Sequence, residues 1–69
     1  MKSEDLLKRI GENIVKFRKI KGLTSQDLGY LCDIDKSQLG KIEKGKINVT
    51  VKTLIKIANE LGISLKELI

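Results

Sequence analysis

The sequence predicts an all-α fold, a compact bundle of about five short helices containing a helix-turn-helix. Three observations lead there. Proline is absent, glycine recurs where helices would end, and apolar residues return every three or four positions nearly throughout. No strand is predicted.

Helix one is expected from Glu4 to Lys21, with Leu6, Leu7, Ile10, Ile14 and Phe17 on one stripe and Gly22 as a left-handed stop. Leu23 packs after that turn. Thr24 is a good N-cap and Asp27 stands at the third helical position, where a carboxylate reaches back to the cap. Helix two is therefore Ser25 to Cys32, with Cys32 and Leu28 on its apolar side. Asp33 falls where the chain must reverse, and aspartate tolerates the left-handed conformation better than most residues. Asp35 with Gln38 three residues on has the pattern of a capping box, opening a helix three from Lys36 to Lys44 that Gly45 ends. Thr50 caps helix four, which carries Leu54, Ile57, Ala58 and Leu61 to a stop at Gly62. Ser64 with Glu67 forms a last capping box for a terminal helical turn through Leu68. Without linker or repeat, residues 1–69 are expected to form a single domain.

Composition bounds the function. A chain of 69 residues buries only about 60% of its unfolded surface, so its core is thin and encloses no desolvated pocket. It has one cysteine and no histidine, which excludes an internal disulfide and removes the commonest acid/base group and metal ligand. A binding module is expected, not an enzyme, with no cofactor, no metal and no small-molecule ligand. No segment approaches the roughly 20 apolar residues of a membrane span, and the start lacks the apolar run of a signal peptide. A cytoplasmic protein with no membrane partner is the expectation.

The charge is polarised. The net charge is +5, yet residues 8–21 set six basic residues against Glu12 alone, and residues 36–56 set six lysines against Glu43 alone. All other residues together are net negative. Such clustering points to a polyanion.

Helix three carries that charge in a specific pattern. At about 100° per residue, Leu39 and Ile42 form one narrow buried stripe, and Ser37, Gly40, Lys41 and Lys44 lie opposite with Lys36 and Gln38 on the flanks. That outer face has no large apolar residue. Reading a major groove needs donors that reach base edges, small residues where the backbone approaches the bases, and cations nearby for phosphates. Lys36, Ser37, Gly40 and Lys41 are the candidates for base readout; Gln38, Lys44 and Lys46, with Asn48 in the following loop, are candidates for phosphate contact. An ordinary amphipathic surface helix would carry a similar polar face.

The runs Leu23-Thr24-Ser25-Gln26-Asp27-Leu28-Gly29 and Ile34-Asp35-Lys36-Ser37-Gln38-Leu39-Gly40-Lys41-Ile42-Glu43-Lys44-Gly45-Lys46 resemble the phage-repressor helix-turn-helix family, the Cro and lambda-repressor class also called XRE-like. The resemblance extends from Ile10 to Leu68. It implies that helix three is the recognition helix, that helix two crosses the DNA backbone with Ser25 and Gln26 at phosphates, and that a homodimer binds double-stranded DNA at a pseudo-palindromic operator. It also implies an ion pair of Arg18 with Glu43 and a dimer surface on helix four and the tail. Ile47, Val49 and Ile69 are the candidate dimer contacts; the first two are alternatively loop residues folded back on the core. Ser25 stands where family members carry glutamine, Gly29 where alanine is common, Asp33 where glycine is common, and Val49 where proline is frequent. Gly29 is expected to make helix two floppier by roughly 1 kcal/mol. Tyr30 is either a phosphate contact or surface cover. Repression is the commoner outcome of the family; a restriction-modification controller that regulates its own gene, or an antitoxin or adaptor on the same fold, are the alternatives.

Overall fold

A computed structural model describes residues 2–69. Four α-helices follow one another: α1 (Ser3–Ile20), α2 (Ser25–Cys32), α3 (Lys36–Glu43) and α4 (Val51–Leu61). The fifth element is a single 3-10 turn, Leu65–Glu67, rather than a turn of α-helix. Three residues cannot hold an α-helical repeat, and the tighter bond pattern suffices to bring Leu68 back to the core.

Each helix is set by local chemistry at its ends. Thr24 Oγ1 accepts the Asp27 amide at 3.0 Å and Asp27 Oδ2 accepts the Thr24 amide at 2.9 Å, a reciprocal capping box. That backbone donor, with the Thr24 hydroxyl, holds the Asp27 carboxyl below its ordinary value. The box expected at α3 does not form. Asp35 Oδ2 accepts the Ser37 amide at 3.0 Å, satisfying one free donor of the first turn directly, and Gln38 stays exposed on the flank. Ser64 and Glu67 do close a box around the last turn.

The helix ends share one device. The amides of Leu23, Ile34, Lys46 and Ile63 each donate to a carbonyl five residues back, at 2.8–3.0 Å, around a left-handed residue. Three of those residues are glycine. The fourth is Asp33 at φ 56° and ψ 43°, which makes the turn between α2 and α3 only three residues long.

The core gathers one stripe from every helix: Ile10 and Ile14 from α1, Leu28 and Cys32 from α2, Leu39 and Ile42 from α3, and Leu54, Ile57, Ala58 and Leu61 from α4, closed by Leu68. Burying each Leu or Ile contributes about 2 kcal/mol. Ile47 and Val49, in the loop after α3, are half-buried and pack against this core.

An eight-residue helix does not hold alone in water, so α3 depends on what it packs against. Besides Leu39 and Ile42, its C-terminal end is pressed against α1 with almost nothing between. A Cβ on Gly11 would strike the Glu43 carbonyl and come within 2.7 Å of the Ile42 oxygen, and one on Gly45 would come within 2.8 Å of the Lys8 backbone. A second close approach sets the α2–α3 turn. A Cβ on Gly29 would stand 2.7 Å from the Ile34 carbonyl oxygen. Gly29 is thus needed by the turn as this chain builds it, with Asp33 in the left-handed position, and is not merely a weak helix former.

Candidate nucleic-acid interface

The turn and the glycine contacts together hold α3 with one side in the core and the other in solvent. Leu39 and Ile42 point inward. At about 100° per residue, Lys36, Gly40, Lys44, Ser37 and Lys41 fall in that angular order within an arc of about 140° on the opposite side. With Asp35 and Lys46 they line one open concavity of about 680 Å³. All four candidates for base readout and two of those for phosphate contact are therefore brought together. Four lysines against one carboxylate leave this surface positive.

Glu43, the lone acidic residue of segment 36–56, is turned away from that surface. Arg18 Nε donates to Glu43 Oε2 at 2.9 Å and Nη2 to Oε1 at 3.3 Å, while Nη1 donates to the Leu23 carbonyl at 3.1 Å. The two side chains are 13% and 9% exposed. A carboxylate at a helix C-terminus faces the negative end of the dipole, and the guanidinium offsets both charges. The same contact ties α1 to α3 and removes a negative group from the outer face.

Other candidates lie elsewhere. Gln26 lines a smaller cleft of about 380 Å³ with Leu23, Asp27, Tyr30 and Leu31. Ser25 is half-buried at the start of α2, and Gln38 and Asn48 are exposed without lining the main concavity. Tyr30 is 86% exposed. Lys56, one of the six lysines of segment 36–56, does a different job: its Nζ donates to the Cys32 carbonyl at 3.2 Å, capping the C-terminus of α2. Among the described residues no group of His, Cys, Asp or Glu is arranged to hold a metal, and no helix is long and apolar enough to cross a membrane.

Ile69, a candidate dimer contact, is 44% exposed. Three other residues are not among the sequence candidates. Val51 and Ile55, one turn apart on α4, are 61% and 44% exposed; their signal is that they fall outside the stripe of Leu54, Ile57, Ala58 and Leu61. Asn13 Nδ2 donates to the Leu68 carbonyl at 2.8 Å, pinning the end of the chain to α1; its clue was a polar residue three positions after Ile10 on the apolar stripe.

Known proteins share both the pattern and the fold. Residues 14–68 match the helix-turn-helix family. An uncharacterized HTH-type transcriptional regulator of Sinorhizobium fredii is 35% identical over 65 residues, 94% of this chain and 84% of that protein. The restriction-modification controller protein C.AhdI of Aeromonas hydrophila superposes with a TM-score of 0.87 at 33% identity, covering 91% of this chain and 96% of the controller. The controller C.Esp1396I, solved as a tetramer in complex with its natural 35 base-pair operator, has a TM-score of 0.79 at 32% identity over 91% of this chain and 93% of its own. With the match spanning most of its length and the α2–turn–α3 unit at its centre, the chain belongs to the XRE-like helix-turn-helix family of DNA-binding transcriptional regulators, a family of binding proteins and not of enzymes.

Proposed function

We propose that residues 1–69 act as one DNA-binding domain that binds a pseudo-palindromic operator as a homodimer, inserting α3 into the major groove, and that its main outcome is repression in the cytoplasm. The observation that carries this is the concavity on α3, where donors, a bare glycine and four lysines share one exposed face. An α-helix with its side chains is about 10–12 Å across, close to the width of the groove. Lys36, Ser37, Gly40 and Lys41 read bases; Ser25, Gln26, Gln38, Lys44, Lys46 and Asn48 position the backbone. Val51, Ile55 and Ile69 supply exposed apolar surface for a second copy, and the half-buried Ile47 and Val49 offer it their exposed parts. Control of the protein's own gene, as a restriction-modification controller, is the second reading. Its support is that this chain and C.AhdI cover each other almost end to end.

The test is binding to duplexes selected from a random pool, across a salt series. About six to ten phosphate contacts per dimer give a slope of log K against log salt near −5 to −9. Absence of binding to selected and random duplexes at low salt would remove the reading.

A further inference from the structure

Gly40 lies on the outer face of α3, between Lys36 and Lys44, for no reason internal to the fold. Of the six glycines, Gly22, Gly45 and Gly62 have φ of 70–73°, and Gly11 and Gly29 lie against carbonyl oxygens that a Cβ would strike. Gly40 is different. It is helical, and apart from its chain neighbours and the backbone of its own helix no heavy atom lies within 4 Å of the position its Cβ would take. A glycine inside a short helix weakens it relative to alanine, and packing here requires no such sacrifice.

The surroundings define what the gap fits. Lys36, Ser37, Lys41 and Lys44 line the same concavity, so a bare Cα lies among longer, hydrogen-bonding side chains. The complementary surface has polar edges and one apolar projection between them. In the major groove the base edges offer acceptors and donors, and the single apolar projection is the 5-methyl group of thymine.

We propose that Gly40 is a specificity-determining residue, its bare Cα seating the 5-methyl group of one thymine in each operator half-site. This rests on the reading of α3 as the DNA-binding element. The Gly40→Ala variant has opposite effects on folding and on recognition. Its unfolding midpoint rises by about 4–8 °C, because the added methyl enters open space and favours the helix. Its affinity for the selected operator falls about tenfold or more, a larger factor than any change in its affinity for random duplex. Replacing thymine by uracil, one position at a time, identifies the partner: at one position per half-site the missing methyl weakens the parent and restores Gly40→Ala to within about threefold of it.

Three results would overturn the proposal. A lower unfolding midpoint in Gly40→Ala would show a packing role. Undiminished operator binding by the variant would show that nothing approaches Gly40. A loss that no uracil substitution reverses would show that the approaching group is not a thymine methyl. Failure of the parent to bind any duplex would instead overturn the reading of α3 itself.

Discussion

Arg18 makes two bonds to Glu43 and one to the Leu23 carbonyl, so one side chain joins α1, the turn after it and the end of α3. Truncating it in Arg18→Ala leaves a nearly buried carboxylate at the negative end of a helix, with an expected cost of about 3 kcal/mol in urea unfolding. A loss under about 1 kcal/mol would mean that water replaces the guanidinium without penalty. Cys32 gives a second residue-level expectation. Burial raises its thiol above the ordinary value, Glu60 adds to the rise and Lys56 opposes it. The folded value lies above the unfolded one, so the stability gained from the neutral thiol is complete below the unfolded value and declines as pH rises towards the folded one. Alkylation of the native protein at pH 7.5 should then be slower than that of a free thiol by roughly a hundredfold or more, tracking unfolding. Fast labelling would contradict the buried placement.

In the proposed complex, DNA contact divides between reading and positioning. Lys41→Ala should cost about 1–3 kcal/mol on the selected operator and relax base choice at one position per half-site, whereas Lys44→Ala and Lys46→Ala should weaken all duplexes alike and flatten the salt slope. Equal loss of discrimination from both groups would refute that division. What the sequence shows of these elements is what depends on neighbours within a few residues: the Thr24 box, the left-handed Asp33, the stops at Gly22, Gly45 and Gly62. It does not show contacts between segments far apart in the chain. Gly11 has no distinguishing neighbours, and its necessity comes from the Ile42 and Glu43 carbonyls, which only the folded backbone brings near. Asp35 and Gln38 have the spacing of a capping box, yet a short carboxylate meets the amide two residues on more readily than glutamine reaches back.

At the scale of the molecule, a domain of 30 × 24 × 20 Å carries its basic concavity on α3 and exposed apolar residues on α4. Loop position alone left Ile47 and Val49 ambiguous between core and dimer; both pack on the core, so a charge at Val49 would disturb folding as well as association. Ile55 is the cleaner probe. Ile55→Lys should unfold like the parent, sediment as a monomer where the parent dimerises, and bind a half-site while losing the steep binding to the full palindrome, because an isologous contact meets its own charge. Unchanged assembly would place the dimer surface elsewhere.

The most direct test of α3 as the reading element is to follow backbone amide resonances of the ¹⁵N-labelled protein as a selected duplex is added. The largest shifts should fall on Ser37, Gly40 and Lys41, with smaller ones at Ser25, Gln26, Lys44 and Lys46. Shifts confined to α1 and α4, with Ser37–Lys41 unmoved at saturation, would contradict it.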